Sequence, residues 1–227
     1  MIWAFSSTVV CFTMGLMLAV VLKEAKIRFK KVFRTLFILP YAVPSVVSML
    51  VWANLLNGSF GIVNRTLHQA IPWLSDPTLA KFTCVLINLW AGFPYYMLLV
   101  TGTMTSISED VFEVARIDGA SSSQIVRRIT LPLVLYQTMP LLIMGFTSNI
   151  NNFGAIYFLT QGMPYVADST TTNAGGTDIL VTWIYNLTMD VLKYNYASVI
   201  AVLIFLFIAP FAIWNFRRTK AYKEGEL

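Results

Sequence analysis

Three asparagines, Asn149, Asn151 and Asn152, stand within four residues of one another in a long stretch that carries no charged side chain. Such a stretch predicts a membrane-spanning helix, and an unpaired amide is costly in hydrocarbon. On a continuous helix, Asn149 and Asn152 share a face that Asn151 does not. We therefore expect Asn149 and Asn152 to hydrogen-bond either to other helices or to a solute that crosses the membrane.

Two other apolar segments contain further neutral polar groups. Asn88, Gly92 and Tyr95 recur at helical spacing, and Tyr41 and Ser45 are four residues apart. Amides, hydroxyls and aromatic rings, without buried carboxylates or ammonium groups, suit an uncharged solute rich in hydroxyls, such as a sugar. The alternative is that these groups only join helices to each other, as polar side chains do in many membrane bundles.

The polar segment 113–132 separates two of the charge-free stretches. Its residues follow the spacing E-x-A-x3-G-x9-I-x-L-P, which begins at Glu113. Gly119 allows a tight turn, while Asp118 and the serines at 121–123 are suitable caps for a following helix. This segment predicts a helix–turn–helix with its break at Gly119.

Apolar side chains surround Glu113 in the same segment. If the segment is a solvated hairpin without a partner, these side chains face water, and exposed apolar clusters usually mark an interface. We therefore expect a protein to dock there; the apolar residues concerned are Val111, Phe112, Val114 and Ile117.

Five charge-free intervals are long enough to cross a bilayer, which needs about 20 apolar residues per helix. They predict an all-α integral membrane protein with about five transmembrane helices in one domain, 1–227. The intervals are 2–22, about 33–56, 82 to about 104, 131 to about 159, and 194–216. The polar loop then covers about 106–131, and the opposite loops about 57–81 and 160–193. The second interval is broken by Pro40 and Pro44, and in the long fourth interval Pro132 and Pro140 offer sites for a kink.

The basic residues are distributed unequally between the two sets of loops. Of the 16 lysines and arginines, 13 lie in 23–34, in the polar loop, or after 216. The positive-inside rule places these three regions in the cytoplasm, with the N-terminus outside and the C-terminus inside. Because the positive charge follows the loops and forms no continuous patch, it argues against a nucleic-acid partner.

No catalytic or metal-binding group is expected. Cys11 and Cys84 lie in apolar segments, where a buried hydrophobic role is usual, and His68 has no metal-ligand spacing around it. The sequence also lacks a phosphate-binding loop of the G-x4-G-K-[ST] type. We therefore expect no cofactor on this chain, and ATP to be bound by a partner if it is used.

The polar segment resembles the coupling loop of the permeases of binding-protein-dependent ABC importers, with Val114 in place of the usual alanine. This resemblance assigns ATPase coupling to Glu113, Ala115, Asp118, Gly119, Ile129, Leu131 and Pro132. The strings at 38–45, 88–95 and 149–162 further resemble the larger membrane subunit of maltose/maltodextrin importers, with departures at Ala91 and Ser148. By matched motif, that family's sugar contacts correspond to Tyr41, Ser45, Asn88, Gly92, Tyr95, Asn149 and Asn152.

The resemblance also implies partners and location. It predicts a second permease subunit, ATPase subunits that hold ATP, an extracytoplasmic sugar-binding protein and lipid, in the cell membrane of a prokaryote. Members of the family generally have at least one further helix before this point, so the chain looks either shortened at its start or assembled with a missing piece. An uncleaved first span is expected rather than a signal peptide.

Three other classes of membrane protein remain as alternatives. A secondary transporter usually shows inverted repeats and a charged midplane site, and an ion channel needs filter backbone or charged rings; the sequence displays neither. A purely structural subunit is disfavoured by the asparagine cluster. The function we favour is the permease subunit of an ATP-driven importer of maltose/maltodextrin-like sugars, with a permease for another uncharged solute as a further alternative. Only an importer of this kind requires association with an ATPase subunit.

Overall fold

The computed structural model describes residues 1–24 and 28–217, and every regular element in this part of the chain is helical. The elements in chain order are α1 (Ile2–Glu24), α2 (Lys30–Ala42), α3 (Ser45–Leu55), α4 (Ile62–Leu67), α5 (Pro77–Thr105), α6 (Glu109–Ile117), α7 (Ser122–Ile125), a π-helix (Val126–Thr130), α8 (Leu131–Ile150), α9 (Phe153–Thr160), α10 (Ser169–Thr172), α11 (Leu180–Met189) and α12 (Tyr194–Phe216).

Among the described residues, four helical segments are long and apolar enough to cross a membrane. They are Ile2–Lys23, Pro77–Thr105, Ser122–Thr160 and Tyr194–Trp214. Helices α2 and α3 meet the same test only as a pair and are bent by 91° at their junction, so they form either a broken fifth span or a re-entrant loop. This confirms an all-α membrane protein with four or five spans.

The bend between α2 and α3 is explained by Pro44. Proline drives the residue before it into extended backbone, and Val43 is extended, with ψ at 133°. Helix α2 therefore ends at Ala42, and α3 begins at Ser45. Of the two breaks expected in this interval, the one at Pro44 is confirmed, whereas Pro40 lies inside α2. Tyr41 and Ser45, four residues apart in the sequence, therefore lie on different helices.

The long fourth interval breaks at its asparagines. Helix α8 ends at Ile150, and Asn152 caps α9 by accepting a hydrogen bond from the Ala155 N–H at 3.3 Å. Asparagine is a favoured N-cap, which explains the position of the break. Pro140 lies inside α8 and does not end it. The sequence suggests that Asn149 and Asn152 share a face of one helix. This expectation is wrong, because the two residues lie on opposite sides of the break.

The core has two apolar clusters built around α5. One joins α5 to α1 and α8, and the other joins α5 to α3 and α9. Cys11 belongs to the first cluster and Cys84 to the second; both are free thiols and buried. This confirms the prediction that they are buried hydrophobic residues.

Helices α1 and α5 approach closely at Gly15. A Cβ atom added at Gly15 lies 2.6 Å from the Met97 backbone nitrogen and 2.7 Å from the Tyr96 Cβ. Backbone cannot rotate away as a side chain can, so only a residue without Cβ permits this distance. Small residues at helix contacts serve this purpose in membrane bundles.

We predict that Gly15→Ala separates α1 from α5 and lowers the free energy of unfolding by about 1–3 kcal/mol, the usual cost of overpacking. Thermal or denaturant unfolding in detergent measures the change. The matched control is Gly102→Ala on α5, where an added Cβ meets nothing within 4 Å. This control should equal the parent or gain up to about 1 kcal/mol. Equal stability of both variants would contradict the close packing.

Candidate functional site

A polar cavity of about 310 Å³ lies where α1, α2, α5 and α8 meet the start of α9. Its lining residues are Cys11, Tyr41, Asn88, Gly92, Tyr95, Tyr96, Met144, Gly145, Ser148, Asn149 and Asn152. None of these side chains is an acid or a base of the Asp, Glu, Lys, Arg or His type. The lining is therefore neutral and consists of amides, hydroxyls, aromatic rings and small apolar groups.

Six of the seven residues expected from the sequence to contact a solute are brought together in this cavity. The exception is Ser45, which is exposed at the start of α3 and does not line the cavity. Its absence follows from the bend at Pro44. Asn151 is also exposed and outside the lining, as the sequence suggested.

Asn149 is the centre of a hydrogen-bond network in the cavity wall. Its Nδ2 donates to the Gly145 carbonyl at 3.0 Å and to the Thr8 hydroxyl at 3.2 Å, and its Oδ1 accepts from Asn88 Nδ2 at 3.4 Å. The Trp3 indole also donates to the Asn149 carbonyl, at 3.0 Å. Asn149 thus joins α1, α5 and α8, so the helix-joining alternative applies to its amide.

Other polar groups of the lining keep free hydrogen-bonding capacity. The hydroxyls of Tyr41 and Tyr95 and the Nδ2 of Asn152 form no hydrogen bond with a described residue, whereas the Asn152 Oδ1 is used to cap α9. The Tyr41 and Tyr95 ring centroids are 6.2 Å apart. The polar groups of these three residues are therefore available to a solute.

A larger cavity of about 580 Å³ lies at the start of α1, against α5, α9 and the loop before α11. Apolar side chains such as Trp3, Ile156 and Ile179 form most of its wall. It suits a hydroxyl-rich solute less well than the smaller cavity, so size alone does not identify the site. The sequence did not indicate this cavity.

Asp178 stands at the edge of the larger cavity and organises the adjoining loop. Its carboxylate accepts hydrogen bonds from the Gly175 N–H at 2.7 Å and from Asn186 Nδ2 at 3.3 Å. Burial raises the pKa of the Asp178 carboxyl, and these hydrogen bonds partly oppose that rise. This half-buried carboxylate therefore links the loop before α11 to α11 itself.

The polar loop is a helix–turn–helix, as the sequence predicted. Helix α6 ends in a glycine cap: Gly119 has φ +79°, its N–H donates to the Arg116 carbonyl, and the Ala120 N–H donates to the Ala115 carbonyl. This pair of bonds satisfies the last carbonyls of α6. Ile129 follows in the π-helix, which the sequence did not indicate, and Leu131 and Pro132 begin α8.

Caps fix where the second short helix begins. Ser121 and Gln124 form a reciprocal capping box at the start of α7, which satisfies two orphan N–H groups. Of the caps expected from the sequence for this helix, Ser121 is confirmed. Asp118 instead stands at the C-terminal end of α6, before the glycine turn.

The apolar residues of α6 divide between two faces. Phe112 is only 1% exposed and packs against Ile107 and Ile125, so the expectation that it faces outward is wrong. Val114 and Ile117, at 56% and 84% exposed, do face outward, as does Val111, and Glu113 is exposed beside them. An exposed apolar face with a carboxylate therefore remains, while Ala115 and Ile129 pack against the Phe112 cluster.

Residues 12–218 match the family described as binding-protein-dependent transport system inner membrane component. The chain belongs to this family. It is therefore a multi-pass inner membrane permease component, and the coupling-loop resemblance proposed from the sequence is confirmed at the level of the family.

Curated relatives of this permease component include sugar transport proteins. It is 42% identical, over 98% of its length, to the galactooligosaccharides transport system permease protein GanP of Bacillus subtilis, and covers 54% of that protein. It is 41% identical, over 96% of its length, to the maltose/maltodextrin transport system permease protein MalF of Vibrio vulnificus, and covers 44% of it. The chain spans about half the length of the curated relatives it matches.

Solved structures show the same fold. A bacterial alginate ABC transporter, crystallised with an alginate pentasaccharide-bound periplasmic protein, matches with a TM-score of 0.76 and 20% identity, over 96% of this chain and 77% of that one. The inward-facing MetNI methionine ABC transporter matches with a TM-score of 0.54 and 17% identity, over 97% and 89%. The fold of the permease component is therefore that of ABC importer membrane subunits.

We predict that Asn149→Ala destabilises the permease component, because the change leaves the Thr8 and Asn88 groups without their partner. The expected loss is about 1–3 kcal/mol of unfolding free energy, measured by thermal unfolding in detergent. Asn151→Ala is the matched control, since Asn151 is exposed and outside the cavity. A larger loss for Asn151→Ala than for Asn149→Ala would refute the role given to the network.

Proposed function

We propose that the chain is the membrane-spanning permease subunit of an ATP-driven importer of neutral oligosaccharides of the maltose/maltodextrin type. The observation that carries this proposal is the uncharged polar cavity, which offers unpaired hydroxyl and amide groups beside aromatic rings. The names of the two relatives, a galactooligosaccharide and a maltose/maltodextrin permease, support the same class of solute.

The polar cavity suits the passage of an oligosaccharide more than its tight binding. At about 310 Å³ it lies at the small end of the range for ligand pockets, about 300–1,000 Å³. An oligosaccharide would therefore pass through it a few units at a time. The Tyr41 and Tyr95 hydroxyls and the Asn152 amide would hydrogen-bond sugar hydroxyls, and each such bond is worth only about 0.5–1.5 kcal/mol. Weak neutral contacts hold a sugar in position and still release it.

ATP hydrolysis in this proposal takes place on partner ATPase subunits. The outward face of α6, with Glu113 beside Val114 and Ile117, would dock into an ATPase groove, and the glycine turn at Gly119 would set the angle of the following helix. The chain itself would bind no cofactor. A second permease subunit and an extracytoplasmic sugar-binding protein would complete the importer.

Lipid or the second permease subunit would cover α12. One face of α12 packs against the rest of the chain, with Ala197 buried and Ile204 and Ile208 partly buried. The other faces are exposed, and their apolar residues include Val199, Val202, Leu203, Phe205, Leu206 and Phe207. A helix that is apolar on all sides needs a nonaqueous environment.

The orientation that fits this mechanism places α6 in the cytoplasm, with the N-terminus outside. The support is the unequal distribution of lysine and arginine between the two sets of loops. The ATPase subunits of an importer must reach α6 from the cytoplasmic side, so the same orientation is required by the coupling proposal.

We predict that Tyr41→Phe and Tyr95→Phe each reduce sugar uptake at low sugar concentration by about 2- to 13-fold, which is the effect of one lost neutral hydrogen bond. Uptake of labelled maltodextrins by cells that lack the native subunit measures it. Tyr136→Phe is the control, because Tyr136 is 76% exposed on α8 and outside the cavity. Unchanged uptake in both cavity variants would count against the proposed solute path.

We predict that single cysteines at Ser123 and Gly58 are labelled from opposite sides of the membrane. Both positions are exposed, and Gly58 has open space around it; Cys11 and Cys84 are replaced by alanine first. A membrane-impermeant thiol reagent added to intact cells should label Cys at 58 and spare Cys at 123 until the membrane is opened. Labelling of both positions in intact cells would reject the orientation.

A further inference from the structure

We propose that Lys23 is a positioning residue that fixes the docking helix α6 to the ends of α1 and α5. This inference rests on the proposed function, because it concerns how movement of α6 reaches the polar cavity. Neither the coupling motif nor the cavity includes Lys23.

Two contacts of one ammonium group carry the inference. The Lys23 Nζ lies 4.0 Å from the centroid of the Phe112 ring, a cation–π distance. The same Nζ donates a hydrogen bond to the Met104 carbonyl at 3.4 Å. Lys23 is in the last turn of α1, Met104 in the last turn of α5, and Phe112 in the middle of α6. One side chain therefore joins three helices.

The two ends that Lys23 joins are themselves fixed. Leu22, next to Lys23, and Met104 are both buried in the cluster that packs α1 against α5. The Met104 carbonyl belongs to the last turn of a helix, where carbonyls lack intrahelical partners and a cation is favoured. The ammonium group is thus held in place from the α1–α5 side before it meets the Phe112 ring.

Phe112 is the buried anchor of α6. It lies on the face opposite to the exposed Val114 and Ile117, which we assign to docking. A force applied to the exposed face therefore acts on Lys23 through the Phe112 ring. Helices α1 and α5 also supply Cys11, Asn88, Gly92 and Tyr95 to the cavity wall, so Lys23 connects the docking helix to two helices that line the solute path.

The test compares Lys23→Met with Lys23→Arg in the purified full chain in nanodiscs. Methionine keeps much of the length and removes the charge, whereas arginine retains a cation that stacks on aromatic rings and donates hydrogen bonds. Lys31→Met is the matched control: it removes one positive charge from the same basic stretch, and the Lys31 side chain is exposed on α2. The control separates loss of the contact from loss of charge.

The first readout is hydrogen exchange of the α6 amides, 109–117. We expect Lys23→Met to speed exchange there by about two- to fivefold, the factor that corresponds to one accessible cation–π contact. Lys23→Arg and Lys31→Met should match the parent. Parent-like exchange in Lys23→Met, or equal changes in Lys23→Met and Lys31→Met, would overturn the proposal.

The second readout is the ratio of sugar-stimulated to basal ATP hydrolysis in the reconstituted importer. Lys23→Met should lower this ratio while the ATPase subunits still co-purify, and Lys23→Arg should restore it. Faster exchange with an unchanged ratio would show a merely structural contact and refute the positioning role. If the unaltered importer shows no sugar stimulation, the proposed function fails instead, and the exchange comparison alone decides whether Lys23 holds α6.

Discussion

The cost of an unpaired polar group in hydrocarbon is the constraint on which the rest of this structure depends. At Asn149 this cost is avoided, because the amide finds partners on α1 and α5. The constraint also requires the backbone to be satisfied where α8 stops, and Asn152 does so by capping α9. Polar groups that line the cavity therefore also stabilise the fold, and only their unused hydrogen-bonding atoms are left for a solute.

The same constraint explains why the proposed solute site is neutral. A charged side chain at this depth would need a charged partner, whereas a phenol or an amide costs less when it stands alone. Tyr41, Tyr95 and Asn152 have unused hydrogen-bonding groups. The ring contact between the two tyrosines and the α9 cap formed by Asn152 hold these side chains in place without those groups. Their free groups form neutral hydrogen bonds about as strong as those between sugar hydroxyls, so the bound and released solute differ little in free energy.

Properties that depend on short stretches of sequence were predicted well. The spans, the glycine turn at Gly119 and the cap at Ser121 each follow from a few neighbouring residues. The partners of Asn149 could not be predicted, because Thr8 is separated from it by 141 residues. The face of α6 that is buried was also undetermined, since Phe112 with Ala115 and Val114 with Ile117 both form apolar pairs at helical spacing. Tertiary packing with Ile107 and Ile125 decides between them.

Local rules also failed where two of them competed. Helical spacing suggested that Asn149 and Asn152 share one face, and Tyr41 and Ser45 likewise stand at an i, i+4 spacing. In both cases a helix break intervenes, and the residue types that cause it, proline at 44 and a capping asparagine at 152, were present in the sequence. The two pairs differ in outcome because the break at Asn151 leaves both Asn149 and Asn152 in the lining of the polar cavity, whereas the 91° bend after Ala42 turns Ser45 away. A break therefore preserves a site when the chain keeps its direction through it: the segment Ser122–Thr160 passes as one span, whereas α2 and α3 diverge by 91° although both contact α5.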